Sequence, residues 1–102
     1  MKRVGVYFRV KPGKQGEYAQ RHKNLWPEMR AVLDEAGFRN YSIWSLGDSL
    51  FAYYEVEDPQ KMEKVLAASD VYAKWRDEME EYIYIDDKGQ KEWPMEMVFL
   101  YV

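Results

Sequence analysis

The chain has 102 residues, of which 47% are apolar and 32% charged, and its net charge is -3. This length fits one domain, residues 1–102, with room for a single core, and the composition excludes a disordered chain. Without cysteine there are no disulfides, thiolate metal sites or cysteine nucleophiles; a lone histidine argues against a histidine metal centre, and the acidic balance offers nucleic acid no basic footprint.

Residues 3–10 alternate Val4, Val6, Phe8 and Val10 with Gly5, Tyr7 and Arg9, the period of a strand, which Pro12-Gly13 ends. From Gln15 to Ala36 the spacing turns helical, with Tyr18, His22, Leu25, Met29, Val32 and Ala36 on one broad side. Pro27 interrupts that run. A proline is cheap in a first turn and costly deeper in a helix, so the pattern predicts a kink or restart near Asn24. Gly37 closes the helix, and 39–46 and 50–57 read as two strands of a hairpin turning at Gly47-Asp48-Ser49. Asp58-Pro59 then caps a helix carrying Met62, Val65 and Leu66, and Ser69-Asp70 caps another over 71–82 with Tyr72, Trp75, Met79 and Tyr82. The acidic run Asp77, Glu78, Glu80, Glu81 reads as a solvated helix face, and 86–92 as the one long loop. Met95–Val102 reads as a last strand.

The order β-α-β-β-α-α-β predicts an α+β, ferredoxin-like split βαβ protomer: an antiparallel sheet with helices on one face. The first and last strands carry apolar residues on both sides, so two such sheets are expected to pack together in a homodimer. No apolar run nears the roughly 20 residues that span a bilayer, and the amino terminus lacks a secretory pattern, so no membrane partner and a cytoplasmic location are expected.

Chemistry concentrates between Tyr18 and Glu28. His22 is the sole imidazole, able to give or take a proton near neutral pH, and Tyr18 lies one turn before it. With no nucleophile triad, phosphate loop or metal cluster, acid-base work on a small molecule remains. Aromatic residues are 17% of the chain, more than a core this small needs, and their flat faces suit a sugar ring. On the residues alone, a structural histidine outweighs a catalytic one, Tyr18 is balanced between packing and ligand contact, and Trp26 reads as a plug at the bend. Trp44 and Trp75 read as core, Trp44 with pocket lining as the lesser alternative.

Three motifs in order, Tyr18-Ala-Gln-Arg-His22-Lys-Asn-Leu-Trp26-Pro27-Glu28, then Gly37-Phe-Arg-Asn-Tyr41-Ser-Ile43, then Ser69-Asp70-Val71 leading to Trp75, resemble the L-rhamnose mutarotase family over nearly the whole chain. The resemblance implies a dimeric α+β barrel and an isomerase that interconverts the α and β anomers of L-rhamnose, or of a closely related deoxy sugar, by acid-base ring opening and closure, with neither cofactor nor metal. It implies that His22 is the proton donor and that Tyr18, Tyr41 and the pair Trp75-Arg76 contact the monosaccharide. Arg76 stands where the family has a second tryptophan, which replaces a flat apolar wall with a fork of donors. Two other readings suit the same fold: a cofactor-independent monooxygenase or haem-degrading protein, and a non-catalytic small-ligand-binding dimer.

Overall fold

Alternation along the first segment becomes the middle of a sheet. In the computed structural model, which describes residues 1–102, β1 (Lys2–Arg9) turns Val6 and Phe8 toward the core and Tyr7 away from it. The chain continues through α1 (Gln15–Lys23), α2 (Pro27–Ala36), β2 (Phe38–Leu46), β3 (Ser49–Val56), α3 (Pro59–Ala68), α4 (Asp70–Glu80) and β4 (Trp93–Met95). The strands form one antiparallel sheet in the order β2-β3-β1-β4, the ferredoxin-like arrangement expected. The core lies between one sheet face and the helices: Phe8, Leu50 and Ala52 from the strands meet Tyr18, Met29, Val32, Trp75 and Met79 from α1, α2 and α4.

Local signals account for the element ends. The helical run breaks completely at 24–26, and Pro27 takes the first position of α2, where its missing N–H costs nothing. Gly37 ends α2 with φ 90°, a left-handed conformation that glycine adopts without strain. Asp58 caps α3 by accepting from the backbone N–H groups of Gln60 and Lys61, and Ser69 caps α4 by accepting from Tyr72. Gly47, with φ 60°, occupies the first central position of the two-residue β2–β3 turn, where a type II′ hairpin needs glycine.

Three expectations are corrected. The last strand is β4 at 93–95 rather than 95–102; residues 96–102 make no sheet pairing, and Val98 (91%) and Phe99 (76%) stand exposed. β4 pairs only with Gly5–Tyr7, and after Met95 the chain leaves the edge of β1, so Lys2–Val4 have no partner on that side. Trp44 is neither core nor pocket lining: it pairs with Phe51 on the helix-free face and is 70% exposed. The acidic run is not purely solvated, since Glu78 pairs with Arg21 of α1 and Glu80 with Lys91 at 3.0 Å.

Candidate active site

Between the helices and the inner sheet face lies an open cavity of about 900 Å³, lined mostly by apolar and aromatic side chains. All five residues singled out from the sequence, Tyr18, His22, Tyr41, Trp75 and Arg76, line it. Two helices supply four of them. The i, i+4 spacing on α1 sets the Tyr18 and His22 rings 4.3 Å apart, and Trp75 of α4 meets the His22 ring edge-on at 5.3 Å. Trp26 closes behind, its ring 5.1 Å from that of Trp75, which is the plug role read from the bend. Trp75 is therefore both core and cavity wall, buried to 7% exposure. Arg76, the next residue on the helix, is exposed, and its guanidinium lies 5.6 Å over the ring of Tyr72.

The sheet supplies Tyr41 through an irregularity. Phe38 and Arg39 pair with Val56 and Glu55, but Ser42 pairs with Tyr53, so β2 carries one residue more than β3 between them. Such a bulge changes which side chains share a face. Phe38 and Tyr41, three residues apart, consequently both face the cavity and stack at 5.3 Å, with Tyr54 of β3 beside them at 4.7 and 5.4 Å. Asn40 makes this possible by taking φ 50°, and its side-chain amide donates to Glu55 at 3.0 Å.

Electrostatics separate the imidazole from the phenols. The Nδ1–H of His22 donates to the Tyr18 carbonyl at 3.0 Å; a carbonyl only accepts, so the neutral ring carries its proton on Nδ1 and its lone pair on Nε2. Burial lowers the pKa of His22, an effect the bond to Tyr18 partly offsets. Desolvation raises the pKa of Tyr18, Tyr41 and Tyr54, although Tyr41 keeps 44% exposure, and these phenols, protonated at neutral pH in any case, act as donors. The cavity thus combines a basic nitrogen, protonated phenols and flat apolar walls, the equipment for moving a proton on a bound polyol. No group of three or more metal-ligating side chains occurs. Sequence reasoning missed Phe38, because the bulge is invisible in the apolar pattern; Tyr54, because its face with Leu50 and Ala52 reads as core; and Glu92, because 86–92 reads as loop although Trp93 already begins a strand.

Residues 3–101 match the sequence model of the family described as L-rhamnose mutarotase. An L-rhamnose mutarotase of Listeria monocytogenes serotype 4b is 44% identical over 77 residues, 74% of this chain and 73% of its own length. One from Bacteroides thetaiotaomicron is 29% identical over 101 residues, 97% of each chain. The crystal structure of an L-rhamnose mutarotase from Formosa agariphila superposes with a TM-score of 0.83 over all of both chains at 27% identity. The tetracenomycin F2 cyclase of Streptomyces glaucescens, at TM-score 0.71 and 15% identity over 100% of this chain and 98% of its own, shares the fold alone. Neither the monooxygenase nor the binding-module reading is favoured by these likenesses; the chain belongs to the L-rhamnose mutarotase family, isomerases that interconvert the anomers of L-rhamnose.

Proposed function

We propose that His22 is the group that moves the proton in L-rhamnose mutarotation, with Tyr18, Tyr41, Trp75 and Arg76 around the sugar. The supporting observation is the Nδ1–H bond to the Tyr18 carbonyl, which leaves Nε2 as the ring's free nitrogen on a residue lining the cavity. With its pKa lowered, the imidazole rests neutral and starts as a base. Nε2 takes the proton of the anomeric hydroxyl, the C1–O1 bond becomes a carbonyl, and the bond from C1 to the ring oxygen breaks. The ring oxygen keeps that electron pair, eased by hydrogen bonds from the protonated phenols of Tyr18 and Tyr41. The imidazolium then returns its proton to that oxygen, which is the donor role implied by resemblance. Rotation about C1–C2 and the reverse steps give the other anomer. Acid-base help of this kind is worth about 10²- to 10⁴-fold.

We propose further that the working unit is a homodimer acting in the cytoplasm. The helix-free sheet face supports the dimer: Tyr7, Phe51 and Trp93 cluster there, with ring centroids 5.4 and 6.0 Å from Tyr7, and Trp44 and Leu46 lie exposed on the same side. An apolar face of this kind needs cover, and a second copy offers the same face. Saturation-transfer NMR on equilibrated L-rhamnose tests the site. Wild-type protein should speed anomer exchange, and folded His22→Ala should not; exchange at the wild-type rate in that variant would remove His22 from the mechanism.

A further inference from the structure

Two carboxylates line the cavity, Glu80 and Glu92. Glu80 is occupied: Lys91 Nζ donates to its Oε1 at 3.0 Å. The carboxylate of Glu92 enters no ion pair or hydrogen bond; only its backbone carbonyl is used, accepting from the Gln90 side chain at 3.0 Å.

The sheet aims Glu92. Trp93 pairs with Tyr7 and Met95 with Gly5, all on the helix-free side, where a Cβ on Gly5 would come within 3.2 Å of the Met95 side chain. Side chains alternate along a strand, so the residue before Trp93 turns to the helix side. Continuing the register by one residue sets Glu92 opposite Phe8, whose ring lies 5.9 Å from that of Tyr18. The approach is held on both sides, by the Lys91–Glu80 pair to the end of α4 and by Asp86, which accepts from the backbone of Lys88 and Gln90. The negative charge of Glu92 reaches the phenols of Tyr18, Tyr41 and Tyr54, contributing after burial to the raised pKa of each. An anionic acceptor therefore faces a set of protonated donors across the cavity.

We propose that Glu92 is a substrate-binding residue whose carboxylate accepts hydrogen bonds from neighbouring hydroxyls of the monosaccharide and so determines which sugars the site admits. The proposal rests on reading this cavity as the rhamnose site. Two carboxylate oxygens match two adjacent hydroxyls, and bonds to an ionised acceptor are stronger than neutral ones. A sugar lacking one contacted hydroxyl would leave one carboxylate oxygen covered and unpaired, which is how a polar site rejects a near-isostere. Arg76 of α4 lines the same cavity and supplies donors to it.

The experiment measures anomer exchange by Glu92→Gln and Glu92→Ala on L-rhamnose and on its 2-deoxy, 3-deoxy and 4-deoxy analogues, with thermal unfolding alongside. Glu92→Ala should raise KM for L-rhamnose about ten- to a hundredfold while kcat changes less than about threefold, with Glu92→Gln in between. That penalty should shrink on the two analogues that each lack one contacted hydroxyl and stay whole on the third. The unfolding midpoint should hold, since Glu92 is exposed in the free protein. An unchanged KM in Glu92→Ala, a fall confined to kcat, or one uniform penalty on every analogue would overturn the proposal. Wild-type protein that fails to accelerate L-rhamnose exchange would overturn the rhamnose reading beneath it, and the proposal with it.

Discussion

The environment of His22 is set by one neighbour on its own helix and one on α4. The Tyr18 carbonyl fixes the tautomer, and the Tyr18 and Trp75 rings exclude water and lower the pKa. As the only histidine, it gives a single imidazole titration by NMR, with a midpoint expected below 6.5. If neutral Nε2 is the base, kcat/KM falls as pH drops through that midpoint and is flat above it; an acid limb centred above 6.5 would contradict the assignment. Stability follows the same sign. Because the folded pKa is depressed, the unfolded chain binds the proton first, so this contribution is whole above about 6.5 and is lost as pH falls toward the folded value. His22→Gln should remove that part of the stability–pH slope. Tyr18→Phe separates the roles of its neighbour: the backbone carbonyl still fixes the imidazole and the ring still packs on Phe8, so folding should survive while kcat drops about tenfold or more through loss of the phenol.

In β2 the decisive feature is one extra residue. Without the bulge, Phe38 and Tyr41 would lie on opposite faces of the sheet, and the cavity would lose one of its aromatic walls. Asn40→Val should cost about 1–2 kcal/mol, since a β-branched residue is strained at φ 50°, and kcat/KM should fall as Tyr41 is re-aimed. Asn40→Gly should keep the backbone and most of the activity. Chemical denaturation with anomer-exchange kinetics on both variants checks this, and equal losses in the two would point to the Asn40–Glu55 bond rather than to φ. Elsewhere local chemistry is sufficient. Asp58→Ala should cost about 1 kcal/mol through loss of the α3 cap, with kcat/KM unchanged, measurable by the same denaturation. Caps, Pro27 and Gly37 were legible because their effect is confined to one turn of chain; the bulge was not, because it is a property of two paired strands.

For the whole molecule, the second sheet face and the apolar tail at 96–102 both need cover. The homodimer reading predicts a mass of two chains by sedimentation at micromolar concentration, and that Phe51→Asp or Trp44→Asp shifts it toward one chain by placing charges across the two-fold contact. A wild-type protein that sediments as a single chain would remove the dimer. The tail also shows what periodicity cannot report: residues 97–102 have strand-forming side chains, yet the chain leaves the edge of β1 after Met95 and does not pair.

Element order, helix ends, the sheet face that meets the helices and the place of His22 and Tyr18 on one side of α1 are all legible in the amino-acid sequence. Each depends on periodicity or on chemistry within a few residues. Packing across the chain sets the rest: Trp75 is wall and core together, Tyr41 enters the cavity, Glu80 is bound to Lys91 while Glu92 is free, and Trp44 faces outward. Those facts arise where strands pair and helices cross, and distances between residues far apart in the chain are set by that packing rather than by any local preference.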